Sequence, residues 1–295
     1  RRRAVGVGVG EGARAGGAMS VHPAIAPGQV AVITGGANGI GLAVARRLVD
    51  QGLRVALADC DAAQLAAAGE ALGGKALLVE TDVASRASVA ALAARVEAEL
   101  GPVAVVMDDA AIGGGGDILA DPAAWDRLLA VNLHGVIHGL QQFLPGMIAS
   151  DRPGLVINTG SKQGITQPPG NTAYNVAKSG VKSVTEGLAH TLRERVGERI
   201  TAHLLIPGFT YTGMTTRHFK EKPPAAWTPD QVAQTMLDGI ARRDFYLWCL
   251  DNETTWEVDR RRVLWTAQDI TEGRPALSRW HPDWKDVFAD FASRE

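Results

Sequence analysis

The chain has 295 residues, 46% hydrophobic and 21% charged, with a formal net charge of −2. This is globular composition; it carries no basic stripe for nucleic acid and no apolar run long enough to span a bilayer. The first eighteen residues hold four arginines, and beyond them 26 bases face 31 acids.

Residues 1–26 carry no periodic pattern. The first eighteen are rich in Gly, Ala and Val and lack a signal-peptide core, and Met19 just precedes the patterned sequence. They read as a disordered leader, an artificial or upstream-start extension in preference to a targeting peptide. Short apolar runs then predict strands at 29–35, 54–59, 76–81, 103–109, 155–159, 201–206 and 245–250. Helical patterns fall between them: 40–50, an Ala-rich stretch after residue 59, 85–100, 122–150 with a break near Pro145-Gly146, a helix carrying Tyr174, and one begun by Thr228-Pro229. Strands alternating with helices imply an α/β fold, a doubly wound, Rossmann-type parallel sheet of seven strands. One domain is expected over 27–250. Residues 251–295 form a helical C-terminal extension, packing on the domain or a partner subunit. Cys60 and Cys249 belong to no ligand-spaced cluster, so no metal or disulfide framework is expected, and the pair fits a reducing, cytoplasmic setting.

Ligands of such sheets bind beyond the carboxyl ends of the strands. There the chain places Gly35-Gly36-Ala37-Asn38-Gly39-Ile40-Gly41, between the first strand and the first helix. Glycines allow a tight turn and close approach of a pyrophosphate, and the helix amino terminus offers free N–H groups. Asp59 ends the second strand. Its carboxylate can accept both adenosine-ribose hydroxyls of NAD and would repel the extra phosphate of NADP; no Lys or Arg stands at Asn38 or Cys60 to offset that. Asp82-Val83 follows the third strand, with Asp82 assigned to the adenine.

Tyr174 and Lys178 are four positions apart and share one helix face. A neighbouring ammonium favours the phenolate, so Tyr174 is expected to titrate below the free tyrosine value of about 10 and act as acid and base. Ser161 lies thirteen residues upstream. Each residue has a plainer alternative: Ser161 as a helix cap, Asn132 as a backbone partner, Pro207-Gly208 as a turn.

Taken together and in this order, the glycine turn, Val131-Asn132-Leu133-His134-Gly135, Ser161, Tyr174/Lys178 and Pro207-Gly208 resemble the single-domain branch of the short-chain dehydrogenase/reductase family. The resemblance covers about 27–250. It implies an NAD-dependent oxidoreductase on a secondary alcohol or ketone, working as a homotetramer or homodimer without membrane or nucleic acid. Tyr174 would exchange the proton, Lys178 tune it and hold the nicotinamide ribose, Ser161 bind the reacting oxygen, and Asn132 hold a relay water. Ala110, Pro207, Gly208, Thr210 and Thr212 would line the cofactor, with Thr212 on the carboxamide.

The family usually has Asn-Asn-Ala-Gly after the fourth strand; here Asp108-Asp109-Ala110-Ala111 stands instead. That departure motivates a second reading, a catalytically weak NAD-binding regulator or scaffold. A sugar-nucleotide epimerase is disfavoured by the glycine spacing. Lys162 beside Ser161 is also unusual, facing solvent or offsetting an acid. Gln163, Gln167 and Asn171 are expected to border the substrate. Six of the seven tryptophans lie at or after Trp227. Trp227 is assigned to a pocket for an apolar or aromatic substrate, and Trp256, Trp265, Trp280 and Trp284 to packing of the extension. A helix is expected over 253–269, with Arg260-Arg261-Arg262 on a solvated face. His134 and His138 are assigned to an interface or the surface.

Overall fold

The computed structural model describes residues 21–216 and 219–293. The leader over 1–18 and Met19 lie outside the described residues. The boundary drawn after residue 26 falls late: Ala24 and Ile25 are buried in the core, and His22 hydrogen-bonds Thr201 Oγ1 at 3.1 Å. Two apolar residues are too short a run to show periodicity, so this docking left no mark in the sequence pattern.

Seven strands form one parallel sheet: β1 Val30–Thr34, β2 Arg54–Asp59, β3 Ala76–Glu80, β4 Val103–Asp108, β5 Gly154–Thr159, β6 Ile200–Ile206 and β7 Tyr246–Trp248. Their order is β3-β2-β1-β4-β5-β6-β7. The direction of winding reverses between β1 and β4, which opens a crevice at the carboxyl end of β1.

The helices are α1 Gly39–Asp50, α2 Ala62–Ala71, α3 Arg86–Leu100, α4 Pro122–Leu129, α5 Gly135–Ala149, α6 Gln163–Thr166, α7 Thr172–Val196, α8 Gly213–Thr216, α9 Pro229–Ala241, α10 Trp256–Thr271 and α11 Lys285–Ser293. Their starts follow local chemistry. Ser85 accepts from Ser88 N at the head of α3, and Thr228 with Gln231 makes a reciprocal cap on α9, with Pro229 in the first turn. Strand residues are buried on both faces. Ala31, Ile33, Leu57 and Met107 pack with Val44 of α1 and Met236 of α9, while Val32, Val106 and Val156 pack with Leu92 of α3, Phe143 of α5 and Val181 of α7.

The break expected near Pro145 is elsewhere. Pro145 sits inside α5, and the irregularity is a π-helical turn, Ala130–His134, joining α4 to α5. Its cause is Asn132: the side-chain Nδ2 donates to Ile112 O at 2.9 Å and Oδ1 accepts from Ile112 N at 2.8 Å. One widened turn lets this side chain reach the loop after β4 without ending the helix.

Beyond β7, α10, a 3₁₀ turn (Ser278–Trp280) and α11 build a small core of their own. Trp265 is its centre, 2% exposed, with ring centroids of Phe291 at 5.1 Å, Phe288 at 5.3 Å and Trp284 at 6.3 Å. The Arg274 guanidinium stacks 4.0 Å from the Trp265 ring, and the indole N–H donates to Ser278 Oγ at 2.7 Å. The run Arg260-Arg261-Arg262 is not one solvated face. Arg260 pairs with Glu257, Arg261 donates to Ala292 O, and Arg262 pairs with Asp259. Among the described residues no helix is long and apolar enough to cross a membrane.

Candidate active site

The turn between β1 and α1 lies at the crevice. Gly35 has φ +67°, and a Cβ there would stand 2.7 Å from Ala110 Cα, so the turn presses directly on the end of β4. Asn38 caps α1, accepting from Gly39 N at 2.6 Å, and Ile40 is buried as the helix anchor. At the end of β2, Asp59 Oδ2 accepts from Ala37 N at 3.3 Å and Oδ1 from Asp61 N at 3.1 Å. The carboxylate is thereby fixed at the rim of the glycine turn, with lone pairs left for two hydroxyls.

The segment after β6 closes on the same turn. Thr212 Cβ and Cγ2 lie 3.1 Å from where a Cβ on Gly39 would be. Thr210 Oγ1 donates to Gly208 O, and Pro207 O accepts from Lys162 N. Asp82 lies exposed after β3, its Oδ1 accepting from Ala84 N. Val83 is buried against Gly135, and its carbonyl pairs with His138 Nδ1 at 2.9 Å. His138 is therefore buried and structural, a correction to its assignment to the surface. A glycine-lined helix start beside a strand-end carboxylate fits a dinucleotide, whose pyrophosphate and ribose those groups would hold.

The proton-handling residues converge at the carboxyl ends of β4 and β5. Tyr174 and Lys178 lie on the first turns of α7, and Ser161 just after β5. Ser161 lies close enough to the Tyr174 phenol to favour its ionised form, and the Ser161 Oγ accepts from Gln163 N at 3.1 Å. Lys178 is buried, its Nζ 5.8 Å from the centre of the Tyr174 ring and donating to Thr159 O at 2.7 Å.

One electrostatic expectation is corrected. Tyr174 is half-buried, and crowding around its phenol pushes its pKa above the usual tyrosine value; the Ser161 hydroxyl nearby opposes this and the charge of Asp109 adds to it. Burial also lowers the Lys178 ammonium, against an attraction to Asp109. In the unliganded chain the loss of hydration outweighs the help expected from the lysine, so the phenol stays protonated at neutral pH.

Asp109 explains part of this. Asp109 Oδ1 accepts from Thr159 Oγ1 at 2.6 Å, and the nearby Gly41 N–H also favours its ionised form; burial still raises its pKa. Thr159 thus joins Asp109, through its hydroxyl, to Lys178, through its carbonyl. Asp108 is 2% exposed, neither oxygen has a hydrogen-bond partner, and burial pushes its carboxyl well up. It is accommodated only because Gly139 of α5 has no side chain: a Cβ there would overlap Asp108 Oδ1. Thr159 was missed in the sequence. The two acids in place of amides were the available signal, but not their partners.

The residues expected at the substrate do not all converge. Gln163 is exposed on α6 beside Ser161. Gln167 ends α6 in a left-handed conformation and donates to Ser179 Oγ at 3.2 Å. Asn171 precedes α7, with a buried Oδ1 that has no partner. Trp227 pairs through its backbone with Phe209 and Tyr211, and its ring packs on the core layer of α1 and α9, the face opposite α7. Met214 of α8 instead approaches Gly113, its Cγ 3.5 Å from the position of a Cβ there.

A sequence model described as short chain dehydrogenase matches residues 29–223. The chain therefore belongs to the short-chain dehydrogenase family. Galactitol 2-dehydrogenase (L-tagatose-forming) from Cereibacter sphaeroides is 32% identical over 215 residues, 72% of this chain and 80% of that one. A short-chain dehydrogenase/reductase from Burkholderia phymatum, solved with NAD, has a TM-score of 0.76 at 30% identity, covering 84% of this chain and 96% of its own. A metagenomic short-chain oxidoreductase solved with NADP has a TM-score of 0.62 at 30% identity, covering 78% and 95%.

Proposed function

We propose that this chain is an NAD(H)-dependent oxidoreductase interconverting a secondary alcohol and a ketone. The observation that carries the reading is the Tyr174 phenol beside Ser161, with the Lys178 ammonium 5.8 Å from the centre of its ring. A carbonyl oxygen held by Ser161 and Tyr174 would receive its proton from Tyr174, and an alcohol would lose one to it. The bound nicotinamide supplies or accepts the hydride. The protonated phenol suits the reductive direction. Lys178, tied to Thr159 O, replenishes the phenol; Asn132 holds the Ile112 backbone beside it, with a relay water as its further role.

NAD is preferred over NADP on the strength of Asp59. Ribose hydroxyls gain charge-assisted hydrogen bonds there, and an added phosphate meets a like charge. An apolar or aromatic substrate is supported by Met214 against Gly113, not by Trp227. Assembly as a homodimer or homotetramer is proposed from the family resemblance, and cytoplasmic location from two unpaired cysteines. The alternative, a weakly active NAD-binding regulator, is favoured by the half-buried Asp109, whose charge acts on Tyr174 and Lys178, and by the buried Asp108 that precedes it.

The test is a panel of bulky secondary alcohols and ketones followed by NADH absorbance, with Tyr174→Phe alongside. Turnover should fall sharply in the variant while NADH binding persists. Undiminished turnover refutes the role of the phenol; tight NADH binding with no turnover on any compound favours the regulator.

A further inference from the structure

Lys162 does not face solvent. Its side chain is 13% exposed, and its Nζ lies 2.5 Å from Asp259 Oδ2 and 3.1 Å from Asp251 Oδ2. Asp259 belongs to α10, in the C-terminal extension, and is itself 2% exposed. It also accepts from Trp248 Nε1 at 3.0 Å and pairs with Arg262 at 3.2 Å. Two carboxylates therefore face one ammonium and one guanidinium in a largely dry cluster, where geometry is held tightly.

The stem of the same lysine crosses Gly208. A Cβ on Gly208 would lie 2.9 Å from both Lys162 Cε and Nζ, so only glycine lets the stem pass. The Lys162 backbone is bound as firmly. Its N–H donates to Pro207 O at 3.2 Å, and its carbonyl accepts from Ile165 N at 3.1 Å and Thr166 N at 3.0 Å. These bonds form the only turn of α6, whose Gln163 N–H aims the Ser161 hydroxyl. Behind α6, Gly164 abuts the Lys178 backbone, where a Cβ would stand 2.6 Å from Lys178 C. The serine loop is thus wedged between α7 and a lysine whose far end is held by the extension.

We propose that Lys162 is a positioning residue for Ser161 and that Asp259 of α10 holds it in place, so that the C-terminal extension forms part of the active site. This rests on the oxidoreductase reading above. Displacing the ammonium frees the first turn of α6, and with it the direction of the hydroxyl that meets the reacting oxygen. A misaimed donor weakens an interaction needed in the transition state more than it weakens cofactor binding.

The test compares Lys162→Met, Lys162→Arg, Asp259→Asn and the Lys162→Met/Asp259→Asn double variant with the parent. Asp259→Asn keeps the shape of the side chain and one oxygen, which can serve either Trp248 or Arg262, and so limits the disturbance to the fold. The expected result is a loss of about tenfold in kcat for Asp259→Asn and Lys162→Met, with NADH affinity within about twofold. The double variant should be no worse than either single one, and Lys162→Arg should recover most of the loss. In the unliganded protein, amide exchange at residues 162–166 should quicken about tenfold in Asp259→Asn while exchange in α3 is unchanged. Unchanged kcat, multiplying losses in the double variant, or unchanged exchange at 162–166 each overturns the proposal. Turnover lost in Tyr174→Phe but intact in Asp259→Asn sinks this inference alone; turnover intact in Tyr174→Phe sinks the enzymatic reading, and the exchange measurement then judges the latch without it.

Discussion

Replacing Asp108 by Asn should change how stability depends on pH. The carboxyl is 2% exposed and without a partner on either oxygen, and burial raises its folded pKa well above the ordinary carboxylate value. In the unfolded chain it titrates near 3.9, so between that value and its folded pKa the native state holds a proton that the unfolded state has released. Stability from this group is then complete below about pH 3.9 and declines as pH rises, by about 1.4 kcal/mol per pH unit, until the folded carboxyl itself ionises. The amide of Asp108→Asn has no such slope and nearly the same shape against Gly139. Urea unfolding of both proteins across about pH 4 to 7 reads the difference directly. The variant should gain on the parent by about 1.4 kcal/mol per unit through the lower part of that range. Parallel curves would show that Asp108 is hydrated or paired, and the reasoning from burial would fail.

Asp109→Asn removes the charge that raises Tyr174 and attracts Lys178, so the pH profile of kcat/KM should move to lower pH; a superimposable profile argues that Asp109 does not act on the pair. Asp59→Ala should reduce the preference for NAD over NADP in kcat/KM by about tenfold, equivalent to about 1.4 kcal/mol, and an unaltered ratio would remove Asp59 from cofactor selection. Trp265→Ala opens a void among Trp284, Phe288 and Phe291 and should destabilise the extension by about 3–5 kcal/mol, seen as faster amide exchange in α10 and α11. Exchange there matching the parent would mean that this small core does not hold the extension.

Much of the fold was legible because the sheet is parallel. Its strands, buried on both faces, read as unbroken apolar runs, and their ends differ from the expected ones by at most two residues. The glycine turn and the Tyr174/Lys178 spacing were legible because both are local: one needs a backbone conformation, the other a shared helix face. What was not legible depends on contacts distant in sequence. The sequence names Lys162 as unusual but not Asp259 as its partner. It marks Asp109 as a departure but not its link through Thr159 to the lysine. The π-helical turn escaped notice because the partner of Asn132, the Ile112 backbone, lies outside the helix. Pro145 drew the expected break because proline is the usual reason for one. Trp227 was misplaced since the side of a loop on which a ring falls is not encoded in spacing.

The widened turn at Ala130–His134 makes the distance from Asp121 to Ser150 intolerant of drift. Removing a single residue within the turn would restore ordinary winding but withdraw Asn132 from Ile112, and removing one on either side of it would rotate everything downstream by about 100° relative to α4. Leu128 and Phe143, both sealed from water, could not then remain inside together. A lineage carrying this helix can exchange its exposed side chains, yet changing its length by one would cost it either the loop at Ile112 or the layer beneath α5.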